Sequence, residues 1–323
     1  MKRRLNLLLV FALVVGVGLL IGRGSSYFSQ IAITTMIFVI LTASLNYVTG
    51  TAGLLTLGHA AFFGVGAYTA ALLSTKLGWP FWFTLPAAGV MAAAIGAVVA
   101  IPTMRLTSIY FAVATLGIGE MIYVTLLNWV DFTRGPMGIR SIGELQVFGM
   151  RGMVVSLVVT AIVMLACLWL IHRLTHSYYG NSLRALREDD ACADAMGIDV
   201  GRLKLEGFAV ACFFAGVAGA LFAHTTGYIG PESFKFGESI LVLSMAVVGG
   251  LGSVYGSIIG AVLLSVLPEL LRDLGSWRMV AVGIVLFFSI LFLPRGLVGE
   301  VSAINLIRAQ LARGTGASRR QSW

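Results

Sequence analysis

The chain has 323 residues, of which 58% are hydrophobic and only 11% are charged, and its formal net charge is +8. A soluble domain usually carries about 25% charged residues and must expose part of its surface to water, so this composition excludes an ordinary soluble enzyme or binding domain. The excess of Lys and Arg does not indicate nucleic acid as a partner, because no basic stripe with interleaved aromatic residues is present.

Ten apolar runs are long enough to cross a bilayer, which takes about 20 residues in a helix. They cover residues 5–22, 28–48, 54–75, 81–101, 107–129, 153–172, 205–226, 238–254, 256–272 and 277–294. We therefore predict an all-α integral membrane protein with about ten transmembrane helices, in which residues 1–323 form a single domain. The first run begins like a secretory signal peptide, but no small-residue cleavage site follows it, so we expect an uncleaved helix.

The positions of Lys and Arg predict the orientation of the helices. Basic residues are concentrated in the two longest segments that ten spans would leave on one side, the loop 173–204 and the tail 295–323. Because basic loops stay in the cytoplasm, we place both segments and the short N-terminus inside.

Residues 46–68, NYVTGTAGLLTLGHAAFFGVGAY, are dense in Gly, Thr and His. Such a segment favours irregular or broken helix, which a bilayer tolerates only where the backbone is buried in protein or lines a cavity. The candidate pathway or helix-contact residues of this segment are Asn46, Thr49, Gly50, Gly53 and His59. Glycines elsewhere, such as the GxxxG series from Gly252 to Gly260, are typical of close helix packing.

Glu120 lies in the fifth apolar run and completes the set of candidates. An ionisable side chain at membrane depth is costly, so we expect Glu120 to line a pathway or to hold helices together. A proton relay would need a chain of such groups, and one Glu with one His is thin support. We expect His59 to contact a neighbouring helix and Asn46 to bond across a helix interface.

The sequence predicts no catalytic residues, no cofactor and no metal site. The three cysteines form no CxxC motif or Cys/His cluster, and no lysine lies in a Walker A context. If ATP powers the protein, another polypeptide hydrolyses it.

The segment 176–204, HSYYGNSLRALREDDACADAMGIDVGRLK, is the one long polar stretch between apolar runs. Residues 182–196 predict a short helix that Asn181 or Ser182 caps and Gly197 ends. A charged helix of this kind is either a solvated surface element or a docking helix for a partner protein.

Four segments carry a resemblance to a known family. Residues 183–198 (LRALREDDACADAMGI), 45–73, 115–139 and 230–264 resemble, in the same order, the permease subunits of branched-chain amino acid ABC importers of the LivM/LivH type. The likeness is nearer to LivM, mainly through LNWVDFTRGPMGI at 127–139.

The resemblance implies a type II ABC importer permease in a bacterial inner membrane. Its partners would be a second, homologous permease subunit, two cytosolic ATP-binding cassette subunits and a periplasmic substrate-binding protein. The helix 182–197 would couple to the ATPase. Its apolar anchors would be Leu183, Leu186 and Met196, its orienting charges Arg184, Arg187, Glu188 and Asp189, and its terminator Gly197.

The substrate implied by the resemblance is leucine, isoleucine or valine, with urea, amides or aromatic acids as alternatives within the same family. The residues alone also leave open an ion-coupled secondary transporter that works without an ATPase.

Overall fold

The computed structural model describes residues 26–103, 108–143 and 152–271, together with single residues elsewhere. Most of these residues lie in helices: α1 (Ser26–Asn46), α2 (His59–Leu77), α3 (Phe81–Thr103), α4 (Ser108–Asn128), α5 (Val130–Thr133), α6 (Met153–Thr175), α7 (Tyr178–Glu188), α8 (Asp190–Ala195), α9 (Val200–Thr226), α10 (Phe236–Gly249) and α11 (Val254–Leu270). A π-helical turn, Tyr47–Thr51, extends α1.

Six of these helices are long and apolar enough to cross a membrane: α1 with its π-turn, α2, α3, α4, α6 and α9. Two shorter apolar helices, α10 and α11, follow. Eight of the ten predicted spans are therefore present among the described residues, which confirms the all-helical membrane fold. The first predicted span, 5–22, lies outside the described residues, and the tenth, 277–294, lies mostly outside them.

The long helix α9 occupies the centre of the bundle and packs against α2 and α3, while α1 packs against α6, α10 and α11. Close approach requires small residues, because lipid supplies no hydrophobic drive between helices. A Cβ atom on Gly66 of α2 would overlap the backbone of Gly216 on α9. These glycines bring the two helices to backbone contact.

One end of the bundle is closed by short, ordered connections. Strands β1 (Ile139–Arg140) and β2 (Tyr228–Ile229) pair antiparallel, with Ile139 opposite Ile229. Buried His224, near the end of α9, bonds through Nδ1 to the carbonyl of Gly143 at 2.6 Å. We refer to this end as the β end.

The opposite end carries α7, α8, the π-turn and the turn between α10 and α11. Helix α10 has 14 residues and is about 21 Å long, less than the roughly 30 Å of a bilayer core. Its last turn therefore stops inside the protein, where it meets the π-turn of α1.

The third predicted span, 54–75, begins later than predicted. Residues 53–58 are not helical, and α2 starts at His59. The backbone N–H of Leu57 donates to Oγ1 of Thr115 on α4 at 3.2 Å. The irregular backbone predicted for this stretch is present and lies in the protein interior, as expected for non-helical chain at membrane depth.

Candidate functional site

The polar loop folds into two helices instead of the single helix predicted over 182–196. Helix α7 starts at Tyr178 and is capped by Ser177, whose Oγ accepts from the N–H of Gly180 at 3.3 Å. Asp189 adopts an extended backbone and breaks the helix before α8. Asn181 and Ser182, the predicted caps, lie inside α7 because Ser177 already satisfies the first turn.

Leu183 and Leu186 do not lie on the exposed face of this loop. Their exposed fractions are 0% and 2%, and Leu183 packs against Gly207 of α9. The amphipathic helix α7 turns its apolar side toward the chain's own core, so neither side chain is accessible to a partner in this structure. The predicted anchor that is exposed is Met196, at 83%.

Helix α8 is fixed to the bundle by its own polar contacts. Asp189 caps it by accepting from the N–H groups of Ala191 and Cys192 at 2.8 and 2.9 Å, and these bonds lower the pKa of the Asp189 carboxyl. Asp190 forms an ion pair with Lys204, which is buried at the start of α9. Gly197, at φ +82°, ends the segment in the left-handed region that favours glycine.

We call residues 178–197 the docking segment. Its exposed side chains include the acidic residues Glu188, Asp189 and Asp194, together with Arg187 and the apolar residues Tyr178 and Met196. Arg184 donates to Oδ1 of Asn181 on the same helix at 3.2 Å. An exposed, capped and ion-paired element of this kind can bind a partner without losing much conformational entropy.

Arg187 is itself exposed, but its side chain reaches back to the bundle. Its guanidinium donates to the carbonyl of Gly50 in the π-turn. The aliphatic part of its side chain lies against Gly53, which has φ +72°. A guanidinium of α7 thus holds the end of α1.

Asn46 forms the centre of a polar junction next to this contact. Its Nδ2 donates to the carbonyls of Gly250 and Ser253 at 3.2 and 2.9 Å, and to Oγ of Ser257 at 2.7 Å. Its Oδ1 accepts from the N–H of Gly252 at 2.8 Å. We call Asn46, Gly50, Gly250, Gly252, Ser253 and Ser257 the Asn46 junction.

The remaining candidates of the irregular segment lie close by. Thr49 donates to the carbonyl of Leu54 at 3.2 Å and stabilises the exit from the π-turn. His59 is fully buried, and its Nε2 lies 2.8 Å from Oγ of Ser44 on α1. His59 therefore joins α2 to α1, and the junction brings Asn46, Gly50, Gly53 and Thr49 to one end of α1.

Glu120 is apart from this cluster. It is half-buried on α4, and among the described residues it has no ion-pair partner. Helix α4 is the least buried of the six long helices, and it exposes Val113, Gly117, Met121 and Val124 along its length. The carboxyl group thus lies beside a surface that the described part of the chain leaves uncovered.

Several contacts between helices were not predicted from the sequence. Lys204 is one of the basic residues of the loop 173–204, and nothing in the sequence pattern distinguishes Ser253, Ser257 or Thr115 from other hydroxyl residues. The sequence feature that could have indicated the serine and threonine contacts is a short hydroxyl side chain at membrane depth, because such side chains bond across helix interfaces there. No group of three or more His, Cys, Asp or Glu side chains that could hold a metal ion occurs within the described part of the chain.

The long apolar helices define a multi-pass membrane protein. The family model described as "Branched-chain amino acid transport system / permease component" matches residues 27–293. The chain belongs to this family of transport permease components, which confirms the resemblance found in the sequence.

Individual relatives agree with this assignment. The high-affinity branched-chain amino acid transport system permease protein LivM of Escherichia coli K12 is 37% identical, over 98% of this chain and 79% of LivM. The LivM of Salmonella typhimurium is also 37% identical, over 92% of this chain and 75% of its own length. The LivH permease of Escherichia coli K12 is 24% identical, over 81% of this chain. No solved structure matches the chain.

Proposed function

We propose that this chain is a permease subunit of a binding-protein-dependent ABC importer that moves leucine, isoleucine or valine into the cytoplasm. The names of the LivM relatives, at 37% identity over nearly the whole chain, support this substrate class. Urea, amides and aromatic acids are the alternatives that uptake measurements would separate. An ion-coupled carrier is disfavoured because it would not need an exposed docking segment.

The docking segment is the observation that carries the proposal. It is anchored by Leu183, Leu186 and the Lys204–Asp190 ion pair, while Met196 and the acidic residues remain exposed. An ATP-binding cassette subunit with a basic, apolar-lined groove fits this surface, since complementary charge steers association and a buried apolar residue supplies affinity. Met196 would supply the apolar contact to the ATPase, because Leu183 and Leu186 are buried in the chain itself.

A second, homologous permease subunit fits the exposed face of α4. Uncovered apolar residues suit lipid, but Glu120 among them does not, because a carboxyl group facing acyl chains is costly. The exposed face of α3, with Phe83, Val90 and Val98, carries no such group and suits lipid. We place the solute pathway between two permease subunits, with Glu120 on its wall or at its edge.

The β end fits the periplasmic side and a substrate-binding protein. The β1–β2 pair links two connections at this end, and Arg134 and Arg140 are exposed on it. Lys235 is exposed there too and forms an ion pair with Glu232. An acidic lobe of a binding protein would be attracted to these charges. The docking segment and both termini would then lie in the cytoplasm.

Co-purification and uptake together test the proposal. The tagged full chain, expressed with its neighbouring transport genes, should bring down an ATPase and a second permease from detergent. Proteoliposomes holding this complex should import labelled leucine only with ATP and binding protein. Uptake by the chain alone, driven by a proton or sodium gradient, would establish the secondary carrier instead.

A further inference from the structure

We propose that Arg187 is the positioning residue through which movement of the docking segment reaches the membrane core. The inference rests on the proposed function, because it takes the docking segment to bind an ATPase. The side chain of Arg187 would transfer that movement to the Asn46 junction, and the junction would transfer it to helices α1, α10 and α11.

Arg187 is placed at the border between surface and core. Leu183 and Leu186, on the same helix, are buried and fix α7 to the bundle, whereas Arg187 and the neighbouring Glu188 are exposed. The guanidinium of Arg187 reaches past the helix surface to the carbonyl of Gly50. A rigid shift of α7 therefore pulls or pushes the end of α1 directly.

The carbonyl of Gly50 lies at a helix end, where backbone carbonyls can accept a hydrogen bond from outside the helix. The last carbonyls of a helix lack partners within the helix, and Gly50 lies in the π-helical turn that ends α1. Single π-turns are frequent at functional positions, because their wider hydrogen-bond pattern is less stable than an α-helix. A charged donor bonds such a carbonyl more strongly than a neutral donor does.

The contact continues into the turn between α10 and α11. A Cβ atom placed on Gly252 would lie 3.6 Å from Nη1 of Arg187 and 3.4 Å from the carbonyl oxygen of Gly50. Gly252 is in turn bonded to Asn46, which also holds Gly250, Ser253 and Ser257. The chain of contacts from Arg187 to α11 is thus continuous, as energetic coupling through packed and hydrogen-bonded groups requires.

A cavity with room for about one water molecule adjoins the Asn46 junction, lined by residues that include Asn46, Tyr47, Thr175 and Ser257. The hydroxyl of Tyr47 is buried and has no hydrogen-bond partner among the described residues. Because an unpaired buried hydroxyl is costly, the proposal includes a second arrangement of the π-turn that pairs it and that movement of the docking segment favours.

The experiment compares Arg187→Met with the parent in the complete complex, reconstituted with ATPase subunits, binding protein and labelled leucine. The readouts are ATPase co-purification and the number of ATP molecules hydrolysed per leucine imported. We expect the ATPase to remain bound and the leucine imported per ATP to fall about tenfold, the loss equivalent to one charged hydrogen bond. Arg187→Lys, which keeps a charged donor, should retain most of the coupling.

Arg202→Met is the matched control. It removes the same charge from an arginine that is also exposed, but Arg202 pairs with Glu206 on its own helix, whereas Arg187 bonds the carbonyl of Gly50. We expect its import per ATP to equal that of the parent. If Arg187→Met does not reach the membrane, Arg187→Gln, whose amide is too short for the same reach, replaces it.

Two results would overturn the inference and leave the proposed function intact. One is an unchanged import per ATP in the Arg187 variant. The other is loss of ATPase binding, which would make Arg187 a docking contact. If the parent itself brings down no ATPase and transports without ATP, the proposed function fails.

Discussion

The side-chain amide of Asn46 lies 2.7 Å from the hydroxyl of Ser257, although 211 residues separate them in the chain. The contact joins the end of α1 to the first turns of α11. Both residues are buried, so water cannot replace a lost bond. The Asn46 junction therefore contributes stability as well as position.

Replacing Asn46 with Asp tests this contribution. The substitution keeps an acceptor for the N–H of Gly252 but turns an oxygen toward the carbonyls of Gly250 and Ser253. Leaving buried groups without partners costs about 1–3 kcal/mol each. We expect a lower Tm for the purified chain. Ser257→Ala should lower it less, because it removes the bond from Asn46 and the 3.3 Å bond to the carbonyl of Ser253 but turns no oxygen toward a carbonyl. Equal Tm values for Asn46→Asp and the parent would contradict the role of the junction.

Gly50 should tolerate no side chain. A Cβ atom there would overlap the backbone of Gly252 and Oδ1 of Asn46. We expect Gly50→Ala to push the π-turn away from the α10–α11 turn, which lowers the Tm and the yield of folded protein in detergent. Gly237→Ala is the matched control, since a Cβ atom at Gly237 would meet no atom within 4 Å. A Gly50→Ala protein as stable as this control would mean that the turn can move at no cost.

The docking segment separates residues that fold the chain from residues that bind a partner. Leu186 is buried, so Leu186→Ala should cost about 2–5 kcal/mol and reduce the amount of folded protein. Met196 is exposed, so Met196→Ala should leave the Tm unchanged and weaken ATPase co-purification. A stable Leu186→Ala protein that loses only the ATPase would reverse the two assignments.

The membrane architecture was predictable from the sequence because it follows from local composition. Apolar runs of sufficient length define spans, and the density of Gly and Thr after Asn46 indicated the irregular backbone. The break at Asp189 was not predicted. In the sequence, Asp189 looks like one more charged residue of a single helix. The structure shows that its backbone is extended and that its side chain caps α8.

The direction of side chains in the docking segment depended on tertiary packing. Leu183, Leu186 and Met196 look alike as apolar residues in a polar loop, and only the position of α9 decides which are covered. Arg187 and Arg184 likewise differ by a single turn of helix, yet Arg187 alone bonds the carbonyl of Gly50. Contacts between segments more than a hundred residues apart leave no mark on local pattern.

Glu120 provides a test of the pathway. If its carboxylate contacts the solute or a charged group of the second permease, Glu120→Gln should reduce leucine uptake while the complex still assembles. Glu120→Asp, which keeps the charge on a shorter side chain, should reduce it less. The measurement is uptake in proteoliposomes, normalised to the amount of assembled complex. Normal uptake by Glu120→Gln would show that the group is structural and carries no needed charge.

Cys192 provides a test of orientation and docking without any new substitution in the parent. It is exposed in the docking segment, whereas Cys167 and Cys212 are buried. Because the proposed function places the docking segment in the cytoplasm, a membrane-impermeant maleimide should label inside-out vesicles and leave right-side-out vesicles unlabelled. Cys192→Ser should abolish the labelling, which controls for the two buried thiols.

The same thiol reports whether a partner covers the docking segment. In inside-out vesicles that retain the ATPase, labelling of Cys192 should be slower than in vesicles from which the ATPase has been stripped. Met196→Ala should restore the fast rate, since Met196 follows Cys192 by one helical turn and supplies the exposed apolar contact. Labelling from the outside would reverse the orientation. Equal rates with and without the ATPase would place the docking surface on another segment of this end.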